Sequence, residues 1–442
     1  MNRSVCWTVL LLVALCASAR ADAPAPTTQD YVSREEYERL KRDQESLRNE
    51  LNALRRDRAD TGAQVSPASQ PTAEGPLDDL QRQLDELRDQ VHRGLPGTEH
   101  FLLAGDASIG FASQRKNGST FNATFSPLFL WEPTDRLLFE AAFDVSGTTD
   151  PNANSSTDVN LTIADVSYLM NDYLAVGGGV FIVPFGQYHN HFDPPWINKL
   201  PDDPLVFSDG GLAPNSQTGI FGRGAIPIGP TKLTYDAYVV NAPNLITRDP
   251  AAAGSLAFPA FTNQNGNFAI GGRLGFLPFP ELEIGYSIEE GRVSPSNFAD
   301  VHALLQAADA HYVKDVPFLS GRIDLRAEWV WSNVDRAIYD RRGALGFGPL
   351  ALTNYRDGGY LQASYRPLMV NNRILRNLEF VARYDRLRSP LRAPGGNHEQ
   401  RWTIGVDYWL TPSAVLKAAY EFDQKKSGPD QNAFLVQLGL GL

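Results

Sequence analysis

Between residues 101 and 442 apolar and polar positions alternate in short segments, each closed by a turn signal. In the clearest of them Leu319, Ile323, Leu325, Ala327, Trp329 and Trp331 fall on one face, and Arg322, Asp324, Arg326 and Glu328 fall on the other. A period of two is that of a β-strand. No segment is long and apolar enough for a transmembrane helix, but a strand crosses a bilayer in roughly 9–11 residues that are apolar only on alternate positions. One such segment also fits a soluble sandwich, with the apolar face in a core. Repetition of the pattern down the chain, together with an export signal, favours a membrane barrel.

Sixteen segments are expected, at about 101–114, 121–132, 137–147, 158–170, 173–185, 217–229, 231–242, 267–278, 281–291, 300–313, 317–333, 357–368, 377–388, 400–411, 413–424 and 432–442. The stretch 300–313 (DVHALLQAADAHYV) also suits a helix by composition. Short turns such as 132–135, 170–173 and 228–231 alternate with longer polar connections, among them 187–216, 243–266 and 334–356. Short periplasmic turns and long external loops are the signature of an outer-membrane barrel, and an even count returns the C-terminus to the periplasmic side. The predicted fold class is therefore all-β, a transmembrane antiparallel barrel of about sixteen strands at 97–442.

Two further regions precede it. Residues 1–21 carry Arg3, an apolar run from Val5 to about Ala17 and the small-x-small site Ala19-Arg20-Ala21, a secretory signal peptide. Leu15 before Cys16 argues against a lipoprotein. Residues 22–96 hold a coiled-coil seam, Tyr37, Leu40, Gln44, Leu47, Leu51 and Leu54, a flexible linker at 60–76, and a second seam from Leu77 to Val91. A narrow seam between polar faces predicts self-association in the periplasm.

Composition changes the picture in two places. A mean hydropathy of -0.28 looks soluble, but a barrel hides its apolar half in alternate positions. Both cysteines, Cys6 and Cys16, fall in the signal, so the exported chain has neither disulfide nor thiol chemistry. A net charge of -11 argues against a nucleic-acid partner.

The connection 187–216 is predicted to be the third external loop. Its clusters PPW and DPLVF are apolar anchors that predict folding against the inner barrel wall. Asp193, Asp202, Asp203 and Asp209 would then face the lumen. By strand parity Arg322, Arg326 and Arg383 face inward from the opposite wall, along with Arg273, Arg366, Arg401 and Lys417. Acidic loop against arginine wall predicts a transverse field that favours anions. Cross-strand pairing of Arg322, Asp324, Arg326 and Glu328 is the compatible structural alternative.

His189, His191 and Asp193 have H-x-H-x-D spacing, but no further ligand cluster accompanies them, and no metal is expected. There is no nucleophile elbow, phosphate-cradling loop or CxxC, so neither catalysis nor a cofactor is expected. A plugged importer would need a larger barrel and a globular N-terminal plug. Two rivals stay open: a structural barrel that tethers the envelope, and a barrel-type outer-membrane hydrolase.

The layout of signal, short coiled coil and barrel, with GGGVFIVPFGQY at the start of the third loop, resembles the phosphate-selective porin O/P-like proteins. The DcaP-type porins that carry a coiled coil are the most similar in layout. The resemblance implies a sixteen-stranded homotrimer in the outer membrane, surrounded by lipid, that passes small hydrophilic, anionic solutes. The chain departs from the family in lacking a lysine-dense lumen. It also ends in Leu442 where such barrels carry an aromatic, although Phe434, Val436, Leu438, Leu440 and Leu442 keep the alternation.

Overall fold

The computed structural model describes residues 100–442 other than 115–117, 151, 153, 209 and 264–265. The predicted signal peptide, both coiled-coil seams, the linker and Asp209 lie outside the described residues.

Sixteen antiparallel strands close into a barrel. In chain order they are β1 Phe101–Gln114, β2 Gly118–Thr134, β3 Leu137–Thr149, β4 Ser155–Asn171, β5 Leu174–Ile182, β6 Ser216–Ile228 and β7 Thr231–Asn241. A separate two-stranded ladder, β8 Asn244–Leu245 with β9 Leu256–Ala257, interrupts the series. The barrel then continues with β10 Phe268–Phe279, β11 Leu282–Arg292, β12 His302–Val316, β13 Gly321–Tyr339 and β14 Leu350–Arg366. It ends with β15 Leu378–Arg388, β16 His398–Thr411, β17 Ala414–Lys425 and β18 Ala433–Gly441. Closure comes from β1 pairing with β18, in register from Asp106↔Gly441 to Gln114↔Ala433. A closed sheet has no free edge, which is what a bilayer demands of strands.

The two faces invert the pattern of a soluble protein. Outward positions are apolar and exposed, Ile270, Leu274, Leu361 and Ile404 among them. Inward positions are polar or charged and buried, with Arg383, Asp385 and Lys417 at 0, 0 and 1% exposure. No helix among the described residues is long and apolar enough to cross a membrane. The crossing elements are strands.

Turn chemistry fixes the short end. The Asn171 side chain accepts hydrogen bonds from the Tyr173 and Leu174 N–H groups at 2.9 and 3.1 Å. Gly229 takes φ +60° between β6 and β7, a value that suits glycine. Between β14 and β15 the Asn372 carboxamide caps a single helical turn, α1 Arg373–Asn377, by accepting from Ile374 and Leu375.

Most expected strands coincide with observed ones, 300–313 included: it is part of β12, not a helix. Three boundaries are corrected. β5 stops at Ile182 rather than 185, because the chain turns inward through Pro184. β13 starts at Gly321 rather than 317, since Pro317–Leu319 form a tight turn ended by Ser320 at φ 53°. β14 begins at Leu350, and with β13 running on to Tyr339 the predicted loop 334–356 shortens to 340–349.

Candidate functional site in the barrel lumen

The chain leaves β5 and folds into the barrel as a long connection, L3, spanning 183–215. Its apolar anchors supply the drive. Val183, Phe185, Tyr188, Phe192, Val206, Phe207 and Leu212 bury against Val240, Ala269, Leu305, Ala307, Val330 and Tyr360 of the wall. Tyr188 and Phe207 stack with ring centroids 4.9 Å apart.

Polar contacts set the register of that docking. Glu328 of β13, 2% exposed, accepts from the Gln187 and Tyr188 N–H groups at 3.1 and 3.2 Å. The Ser287 hydroxyl accepts from Gly186 N–H at 3.0 Å. Gly186 sits at φ +72°, and a Cβ there would fall on the Glu328 carboxylate, so only glycine permits this approach. The chain then makes one wide helical turn, closed by Asp193 N–H donating to the Tyr188 carbonyl at 3.1 Å. Beyond Pro194 it crosses to β18, where the absence of a side chain at Gly441 makes room for the Trp196 ring.

The return path of L3 meets the bases predicted from strand parity. Arg383 donates to Asp202 Oδ2 at 2.5 Å, to the carbonyls of Asp202 and Asp203 at 3.0 and 3.1 Å, and to Asp385 at 2.7 Å. Arg401 donates to Asp202 at 3.2 Å and to Glu421 and Glu399 at 3.3 Å each. Lys417 donates to the Leu200 carbonyl at 3.3 Å and to Gln437 at 2.9 Å. Arg326 is held by Asp324 at 3.0 and 3.1 Å, donates to the Ile197 carbonyl at 3.4 Å, and lies 4.1 Å from the Phe192 ring centroid. Burial alone would raise the pKa of Asp202, but Arg383, then a hydrogen bond with Glu421 and the charge of Arg401, outweigh burial and hold the carboxyl below its ordinary range. Asp203 lacks such a partner. Burial, then the nearby Asp193, raises it to about 6, although Tyr188 donates to it at 2.6 Å.

Arg273, Arg326, Arg383 and Lys417 lie buried inside the barrel, but not in the predicted geometry. Asp202 and the arginines do not oppose each other across a pore; they are joined. Asp203 is buried with Tyr188. Arg273 lies elsewhere, bound to Asp309 at 2.6 Å and Glu283 at 2.9 Å. Arg322 and Arg366, cross-strand partners, sit at the short-turn end. There Arg322 pairs with the exposed Asp315 at 2.7 Å, and Arg366 lies 4.8 Å from the Trp409 ring centroid. His189 and His191 also diverge. His189 packs on Phe207 with its Nδ1 3.5 Å from Asp193, whereas burial keeps His191, beside Glu283 and Arg273, below its ordinary pKa.

Asp193 alone of the described loop carboxylates faces the other way. Its side chain is 37% exposed and lies within electrostatic reach of Asp106 on β1 and Asp144 on β3. On β1 and β3 the inward acids Asp106, Glu140 and Asp144 are half-exposed, although Ser108 and Ala142 beside them are buried, while most inward positions on β13 to β17 are buried. Open space therefore lies against β1–β5. Near the short-turn end a cavity of about 490 Å³ lies among Asn190, His191, Arg223, Asp236 and Glu283. Asp106, Glu140, Asp144 and Asp165 were visible to the same alternation that picked out the arginines, and so was Glu328 as a possible anchor.

No family model matches the sequence, and no curated protein sequence matches it. Among solved structures the barrel is similar to OmpF of Salmonella typhi in complex with daunomycin, with a TM-score of 0.52 at 11% identity over 77% of this chain and 97% of that one. The fold is that of an outer-membrane porin. The outer membrane channel DcaP of Acinetobacter baumannii gives a TM-score of 0.48 at 14% identity, covering 77% and 97% of the two chains. An anion-selective porin from Comamonas acidovorans gives 0.46 at 13%, covering 77% and 99%. These identities speak to fold alone.

Proposed function

We propose that the chain is an outer-membrane channel for passive diffusion of small hydrophilic solutes, narrowed by L3. The observation that carries this reading is a closed barrel, apolar outside, whose lumen holds an inserted loop on one wall and half-exposed polar side chains on the other. The short turns would face the periplasm and the long connections the exterior. The likeness to OmpF supports the barrel type on which this rests.

Most of the bases expected to carry an anion preference are tied up. Arg326, Arg383, Arg401 and Lys417 are tied to carboxylates, carbonyls or an amide, Arg273 to Asp309 and Arg322 to Asp315, while among the described residues Arg366 donates only to the Arg376 carbonyl. Nor does any contact described here speak for phosphate in particular. The seam at residues 37–54 supports self-association through a periplasmic coiled coil, and the family resemblance supports a homotrimer.

Swelling of liposomes that contain the purified barrel tests the channel reading. Entry of neutral sugars should slow steeply as their size grows. If no sugar enters, the barrel conducts nothing and the envelope-tethering reading takes its place.

A further inference from the structure

Most lumenal bases on β10 to β17 are paired with acids where they stand, Arg273, Arg326, Arg383 and Arg401 among them; Arg356 instead donates to Asn354 and Ser255, and Arg366 to the Arg376 carbonyl. On the facing wall the inward ionisable groups of β1, β3 and β4 are acids: Asp106, Glu140, Asp144 and Asp165. Asp106 and Asp144 share electrostatic reach with Asp193 of L3, and Glu140 shares it with Asp165. Arg223 of β6 lies within electrostatic reach of both Glu140 and Asp165. Its closest acid is Asp236 at 3.8 Å, and it stands 4.1 Å from the Phe221 ring centroid.

A second observation is independent of that charge count. Asp165 is 3% exposed, and its Oδ1 has no hydrogen-bond partner among the described residues. It stands directly opposite Glu140 in the β3–β4 register. Two acids facing each other across strands repel, and a buried carboxylate oxygen without a donor is costly. Arg223 offsets part of that repulsion, and a cation held at the unpartnered Asp165 oxygen removes the rest.

We propose that the passage along β1–β5 selects cations. Asp106, Asp144 and Asp193 form one station, and Glu140 with Asp165 forms a second, nearer the short-turn end. Because the walls are of low dielectric, carboxylates there, four acids of the strands and Asp193 against the one base Arg223, focus a negative potential that concentrates monovalent or small organic cations and excludes anions. This inference rests on the channel reading above and names the solute class it admits.

The full chain in planar bilayers, under a KCl gradient at low ionic strength where screening is weak, gives the test through its zero-current potential. The expected sign is that of a cation-preferring pore. Asp144→Asn with Asp193→Asn should bring the potassium-to-chloride permeability ratio about twofold or more toward unity, and Asp165→Asn should also lower it. An anion sign in the unmodified chain, or a ratio that neither variant moves while conductance persists, overturns the proposal and leaves the channel reading standing. Barrels that migrate as folded on unboiled gels yet pass no current overturn the channel reading itself.

Discussion

Glu328 illustrates how much one buried acid organises in this lumen. Its carboxylate serves two consecutive backbone donors of L3, and Gly186 beside it makes that approach possible. Glu328→Ala leaves two buried N–H groups without acceptors, a loss of about 1–3 kcal/mol for each. The barrel should still close, since its ladder is untouched, but L3 should become accessible to protease and single-channel current should grow noisier. Gly186→Ala should act alike, with a cost of about 1–3 kcal/mol for a non-glycine residue held at positive φ plus the collision with Glu328. Arg383 is the more severe case. Removing it strands Asp202 and Asp385 together in a buried site, and Arg383→Ala should cost about 3–5 kcal/mol. The shift in melting temperature of the detergent-solubilised barrel measures that cost, and a change within error would mean that the clasp contributes little.

At the scale of elements, L3 behaves as a docked strap whose hold depends on pH. Asp203 is raised to about 6 by burial and Asp193, while Tyr188 and His189 work in the opposite direction and Asp202 adds a smaller raising effect. An acid whose folded value stands above its ordinary one opposes docking while ionised. Docking should therefore strengthen as pH falls through about 6 toward the ordinary carboxylate range. Asp202 has the opposite sign, since its lowered value supports docking that is lost only below that range. Protease protection of L3 should consequently rise between neutral and mildly acid pH, and Asp203→Asn should flatten that rise. A protection profile identical in the two proteins would rule out Asp203 as the titrating group.

The strands themselves were legible because a barrel writes its two faces into every segment. Even 303–309, alanine-rich and helix-like in composition, places Ala303, Leu305, Ala307 and Asp309 inward at strand period, where pairing on both sides overrides propensity. The inward bases were legible by the same rule. Their partners were not, because Arg383 meets Asp202 only through a loop path that apolar anchors choose in three dimensions. The ladder of β8 and β9 was missed too, since two residues on each side carry no periodicity.

At the scale of the whole barrel, the lumen is divided lengthwise: L3 packs on the wall from β7 to β18 and on Phe181 and Phe221 of β5 and β6, and the proposed route for solutes runs along β1–β5. Oligomeric state is a separate matter, tied to the seam at 37–54. Cross-linking of the intact chain should give trimers, and deletion of residues 22–96 should weaken them without unfolding the barrel; monomers alone would end the coiled-coil reading. The route is most directly tested by placing single cysteines, since the only two in the sequence, Cys6 and Cys16, fall in the predicted signal. Ser126 is half-exposed on β2, and Thr403 on β16 is fully buried beside the clasped arginines. A cationic thiol reagent added to open channels should reduce the current of Ser126→Cys and leave that of Thr403→Cys unchanged. Block at Thr403→Cys with none at Ser126→Cys would place the route on the other side of L3 and contradict the account.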